Sequence, residues 1–443
     1  MLLIAIGSVA FLYWYGFHKE FNQESIPQNA DAIAMVDVKN IRNHFIFSYL
    51  KNPSEWQSDA TLSELKKRLD LSNFGISAPD YCAFFHIENQ PISQWSTILK
   101  IDDERAFEYE LAKAHFRKTR LQNGMNFYYA KDKAVLIIRH SNQILVSNIP
   151  EKQIQIAVNI AENLFLKKLF LDAKKTEKTI YTSNAVTFWI KKNSLLEEDG
   201  ILNLKLEDQE IKVDGQLKLN YKKQSQFTLN PKALLSVDFD FEMIRNQQIL
   251  KLNSDKINKM VGFNLDSVFV HNPTKTELVL NEIIEKKDSA ISYEYDDDFN
   301  PIKKVVVHTS REPSFYFSMQ TENSKRVYNY LKTQNAIDKH QVFVNFPLAI
   351  TKTSVCDNAL ILEANPLKKG NSKLTVTKVG YLQMHFNKLQ PKDWRYIIAK
   401  NQNFTLLKYF ETLEIDLSRE NNSVLFQAHL KTKNKKDLIS IVN

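Results

Sequence analysis

AIAMVDVK at residues 32–39 and LLSVDFDF at residues 234–241 decide how this chain is read. Each is a short apolar run bounded by polar residues, which has the length of a buried strand rather than of a helix. Each precedes a helical pattern. After the first, Asn40 is placed to cap a helix over about 41–51, with Ile41, Phe45 and Tyr49 on one face.

From this pair, further matches follow in the same order along the two halves. INKMVGFNLDSVF (257–269) parallels LKKRLDLSNFGIS (65–77), and SFYFSMQTENSKRVYNYLKTQ (314–334) parallels WSTILKIDDERAFEYELAKAH (95–115). NFPLAITKTSVCDNALILEAN (345–365) parallels NFYYAKDKAVLIIRHSNQILVSN (126–148). YLQMHFNKL (381–389) parallels VTFWIKKNSL (186–195), and LEIDLSRENNSVLFQAHLKT (413–432) parallels LNLKLEDQEIKVDGQLKLNY (202–221). Chance similarity does not preserve order along a chain. The pattern predicts an α+β fold: two related modules of antiparallel sheet with packed helices, over 31–228 and 229–443. Two unrelated α+β domains are the alternative. Helices are expected near 151–172 in the first half and 391–412 in the second, each without a twin.

Residues 1–17, MLLIAIGSVAFLYWYGF, contain no charged side chain. As a helix they would span about 25 Å, enough for a bilayer core. Tyr13, Trp14 and Tyr15 fall where aromatic rings favour the headgroup boundary. The residues that follow lack a small-residue cleavage site, and no cysteine precedes Cys82 to receive a lipid. The expectation is an uncleaved transmembrane anchor helix over 1–17 and a polar linker over 18–30. It places the chain as a single-pass protein of a bacterial inner membrane with its bulk in the periplasm.

The stretch IPQNADAIAMVDVKNI (26–41), with the strand-helix-strand order after it, resembles functionally uncharacterised, membrane-anchored envelope proteins of Bacteroidota type. They share the opening Pro-x-x-Ala-x-x-x-x-x-Val-Asp and tandem α+β modules. The resemblance implies location and architecture and supplies no active site.

Composition narrows the chemistry. The 443 residues have ordinary hydrophobic (43%) and charged (25%) fractions, which exclude long disorder. Lys and Arg exceed Asp and Glu, 59 against 51, in dispersed pairs and in KTKNKK at 431–436. That excess suits a soluble surface, or attraction to anionic lipid or an envelope polymer; nucleic acid is not an expected partner. Cys82 and Cys356 are too few for a disulfide framework and are expected to be unpaired and buried. Glycine is scarce, at 9 residues, and none are spaced to cradle a phosphate, which excludes Rossmann and Walker loops.

No Gly-x-Ser-x-Gly elbow, His-x-x-x-His, His-x-His or Cys-x-x-Cys occurs. His140 and His385 read as fillers in apolar strands. Cys82 and His86 would face the same side of a strand, a candidate catalytic pair weighed against a core of Tyr81, Ala83, Phe84 and Phe85. Ser63-x-x-Lys66 matches one element of penicillin-recognising enzymes without its companions, so it reads as a surface helix turn. Glu294-Tyr295-Asp296-Asp297-Asp298 offers oxygen ligands to a divalent cation, or is a solvated turn between strands.

No catalytic, cofactor-binding or metal residue is therefore assigned, and no cofactor is expected. The favoured expectation is a non-catalytic, membrane-anchored binding or scaffold protein whose partner is an envelope protein. Trp56, in the polar loop NPSEWQSD, is the candidate partner-binding residue, or else a lid over the first core. A lipid-handling protein with an apolar groove, and a hydrolase with a dispersed site, are the alternatives.

Overall fold

The computed structural model describes residues 16–53, 71–121, 123–130, 133–220, 225–243, 254–356, 358–366, 374–394 and 402–438. They form two compact units, Met1–Asn220 with Asn421–Asn443, and Tyr221–Glu420.

The first unit contributes β1 (Ala30–Asp37), β2 (Tyr81–Ile87), β3 (Ser96–Lys100), β4 (Arg117–Arg120), β5 (Asn126–Tyr129), β6 (Leu136–His140), β7 (Gln143–Ser147), β8 (Val186–Ile190), β9 (Gly200–Leu206) and β10 (Glu210–Leu217). They pair antiparallel in the order β4-β5-β6-β7-β3-β2-β1-β8-β9-β10. The run at 32–38 sits at the centre, between β2 and β8, which is why it is apolar on both sides. Helix α1 (Val38–Lys51) leaves directly from β1. Its cap is Asp37, whose buried carboxylate accepts the Asn40 N–H at 2.8 Å, and not the expected Asn40. Asn40 instead donates its side-chain amide to the carbonyls of Thr182 and Asn184. Helix α2 (Glu104–Lys113) is capped by Asp103 and buries Phe107 and Leu111 against Tyr128, Ile137 and Ile144. Helix α3 (Ile154–Ala161) covers the larger core of Ile33, Met35, Phe85, Ile138 and Trp189, and runs into one π-helical turn, Glu162–Leu166.

The second unit contributes β11 (Ser225–Leu229), β12 (Leu235–Asp240), helix α4 (Ser254–Val261), β13 (Lys275–Tyr295), β14 (Pro301–Gln320), helix α5 (Ser324–Thr333), β15 (Lys352–Cys356), β16 (Ala359–Ala364), β17 (Leu374–Lys378), β18 (Gly380–His385) and β19 (Phe410–Glu420). The order is β15-β16-β14-β13-β12-β18-β19, again antiparallel, and β11 pairs separately with β17. Helix α5 buries Val327 and Leu331 against Ala336, Ile337 and Leu360. β13 and β14 are far longer than their neighbours. β12 reaches only as far as Leu280 on β13, and β16 only from Phe315 on β14. Beyond those points side-chain contacts from Ser314, Glu312 and Arg311 still tie the pair to Asn365, Gln390 and Asp393, and from Lys286 and Ser310 outward the two strands continue as an exposed ribbon to a turn at 296–300. The last strand, β20 (Ser423–Thr432), returns to the first unit and pairs with β10 along its whole length.

Two expectations are corrected here. The fold of each unit is mostly antiparallel sheet with a few short helices, rather than an α+β module. The helices are short, and where a long one was expected over 391–412 the described residues form turns, a 3₁₀ stretch (Gln402–Tyr409) and the start of β19. The β-branched and aromatic residues of FETLEIDL favour the extended backbone. Second, among the described residues no helix is long and apolar enough to cross a membrane. The single-pass anchor over 1–17, and the inner-membrane location built on it, are set aside on that finding. Residues 1–15, including Tyr13, Trp14 and Tyr15, lie outside the described residues. From Gly16 onward the chain is tied to the first unit: Asn43 donates to the Gly16 carbonyl at 2.9 Å, and Lys19 pairs with Asp37 at 2.5 Å.

Candidate apolar ligand site

Strand register in the second unit builds an apolar floor. Residues directly opposite on antiparallel strands share a face. Met384, Leu235, Leu280 and Phe315 are successive cross-strand partners over β18, β12, β13 and β14. Leu278, Phe317 and Leu362 make a second such row over β13, β14 and β16. Above these rows lies a cavity of about 500 Å³, walled by Phe343, Phe346 and Leu348 from the loop before β15. Phe346 meets Phe315 edge-on, with ring centroids 5.0 Å apart. The size falls in the range of small-molecule sites.

One end of the cavity is ionic. Arg311 on β14 grips Asp393 through two bonds, Nε to Oδ1 at 2.7 Å and Nη2 to Oδ2 at 2.9 Å. Its Nη1 donates to Gln390 Oε1 at 2.6 Å, and the Gln390 N–H returns to Asp393 at 2.9 Å. Asp393 is only 1% exposed. The closed fork leaves the cavity an apolar chamber ended by a neutralised pair.

Behind the floor the chemistry changes. Alternation along β12 turns Ser236, Asp238 and Asp240 away from Leu235. Asp238 is fully buried, and neither carboxylate oxygen has a hydrogen-bond partner. Burial, and then the charge of Glu277 opposite it, push its carboxyl up to about 7; Lys275 opposes this. Tyr381, its partner on β18, is pushed up to about 12 by burial, with the charges of Glu414 and Asp238 adding to the effect.

No family model matches the chain, and no curated protein is similar to it. Among solved structures, the chain is similar to crystal form I of TP0453, with a TM-score of 0.28 and 12% identity over 45% of this chain and 78% of that one. Crystal form III of TP0453 gives a TM-score of 0.23 and 12% identity over 76% of this chain and 90% of that one. At these scores the likeness assigns neither fold nor function.

The residues singled out from sequence fall elsewhere. Cys82 and His86 are not brought together as a pair. The Cys82 thiol lies 3.5 Å from Thr97 Oγ1, and burial pushes its pKa up. His86 bonds Asp31 at 2.6 Å and approaches the carbonyls of Gln90 and Pro91; burial opposes its charge, but these partners outweigh burial and raise its pKa. Neither cysteine is in a disulfide, and against the expectation of burial Cys82 is half-buried and Cys356 exposed. His140 stacks on Phe165, and His385 contacts the Pro231 carbonyl at 3.1 Å. The acidic run 294–298 forms the tip of the β13–β14 ribbon, where Asp296 accepts the N–H groups of Asp298 and Asn300. Among the described residues no group of His, Cys, Asp and Glu is placed to hold a metal. Trp56 and Ser63-x-x-Lys66 lie outside the described residues. The cavity itself was missed: its lining comes from several strands and loops, and only their register assembles it.

Proposed function

We propose that this chain is a non-catalytic binding protein that holds an apolar, acyl-chain-like ligand in the second unit. One observation carries the reading: a cavity of about 500 Å³ floored by cross-strand Leu, Phe and Met rows. Apolar space of this kind is poorly filled by water, whereas a hydrocarbon regains the missing contacts. The Arg311–Asp393 fork closes one end without presenting a net charge, which favours a ligand recognised by its apolar body. An envelope address rests on the sequence resemblance at 26–41.

The test is uptake of a fluorescent fatty acid by the delipidated full chain. Saturable binding, displaced by unlabelled fatty acid, is expected. Leu280→Trp fills the floor and should weaken binding at least about tenfold, consistent with loss of a well-packed apolar contact. Its melting temperature should stay near that of the wild type. Absence of uptake by the wild type, or equal uptake by Leu280→Trp, would overturn the reading.

A further inference from the structure

The loop before β15 has two sides. Phe346-Pro347-Leu348-Ala349-Ile350 carries no polar or charged side chain, although it runs over the surface. Its base is pinned. The Phe343 N–H donates to the Thr351 carbonyl at 2.8 Å, and the Val344 N–H to that of Ala336 at 2.9 Å. The Asn345 side-chain amide donates to the Val261 carbonyl at 2.9 Å. On the outer side Val344 is 46%, Leu348 47% and Ile350 67% exposed, and Pro347 is exposed as well. On the inner side Phe343, Phe346 and Leu348 wall the cavity. Leu348 belongs to both sides, so apolar side chains connect the chamber to the outside.

We propose that this loop seats on a lipid bilayer and is the portal through which the cavity takes its acyl ligand directly from the membrane. The proposal rests on the acyl-binding reading above. Continuity is the first argument for a bilayer. A hydrocarbon chain that crosses water must hydrate every methylene. A loop set among acyl chains on its outer side, and lining the chamber on its inner side, gives a dry path instead. Charge is the second. At the base of the loop Lys339, His340 and Lys352 are exposed. The acidic groups there are drawn in: Asp338 is half-buried and accepts the N–H groups of His340 and Val342, and Glu363, opposite Lys352, is half-buried too. An apolar tip with basic flanks suits an anionic lipid interface. Area is the third. Four exposed apolar side chains are too few for a stable protein interface, yet enough for a transient seat on a membrane.

The test loads the full chain with a fluorescent fatty acid by two routes, from vesicles of phosphatidylglycerol and phosphatidylcholine and from dilute aqueous monomer. Transfer from vesicles should quicken in proportion to protein concentration, because contact is required. Release through water would be set by the vesicles alone. Ile350→Asp places a charge on the outer side and should slow vesicle transfer at least about tenfold. Ile350 does not line the cavity, so affinity for the aqueous probe and the melting temperature should stay at wild-type values. A wild-type transfer rate indifferent to protein concentration overturns the inference. So does an Ile350→Asp variant that loads from vesicles as fast as the wild type. In both cases persisting aqueous uptake leaves the cavity reading intact. A wild type that takes up the probe by neither route removes the cavity reading and the portal together.

Discussion

Arg311→Ala is expected to destabilise the second unit by about 3–5 kcal/mol, because it strands a buried carboxylate. Asp393 receives both arms of the guanidinium and is 1% exposed, so water cannot replace the lost partner. At about 2–4 °C per kcal/mol for a unit of this size, the melting transition should fall by roughly 10 °C. The pair itself is not inherently stabilising relative to an apolar one. Arg311→Met with Asp393→Leu should therefore recover most of the loss. Urea unfolding of the two single variants and the double variant measures the coupling. A loss below about 1 kcal/mol for Arg311→Ala would mean that the fork is solvated in solution.

Asp238 governs the second large effect, and its sign is opposite to that of a salt-bridged carboxylate. Its folded pKa is raised, from an ordinary 3.8 to about 7. Between these values the native state holds a proton that the unfolded chain has already released. Stability from this residue is therefore highest below about pH 4, declines as pH rises towards 7, and is level above that. Three pH units correspond to at most about 4 kcal/mol. Asp238→Asn keeps the shape without the charge. It should match the wild type near pH 4 and exceed it by about 2–4 kcal/mol at pH 8. Denaturant-dependent hydrogen exchange of β12 and β13 at the two pH values isolates this unit. Equal stability of wild type and Asp238→Asn at pH 8 would mean that the carboxylate finds a partner or water there.

The local signals and the long-range ones were not equally legible. The strands at 32–38 and 234–241 are short apolar runs, and both are strands. Asp103 with its acidic first turn marks α2 because a helix start is a local electrostatic event. The ribbon was harder. KTELVLNEIIEKKDSAISYEY alternates imperfectly, since its outer half has no core on either face to impose a period. The cavity was illegible for another reason. Leu235, Leu280, Phe315 and Met384 are far apart in sequence and meet only through the pairing register, which no single segment encodes. The expected anchor rested on the apolarity of one run, and apolarity alone specifies neither length nor surroundings of a helix.

β20 has a consequence for how the protein is made. The strand that completes the first unit is synthesised after the whole of the second. While the ribosome translates residues 221–420, β10 waits with an open hydrogen-bonding edge, the kind of edge that recruits foreign strands. The second unit, by contrast, emerges as an uninterrupted segment and can fold in sequence. A nascent chain halted before Ser423 would thus release an intact later unit attached to an unfinished earlier one. Premature termination should show as aggregation seeded from the N-terminal half.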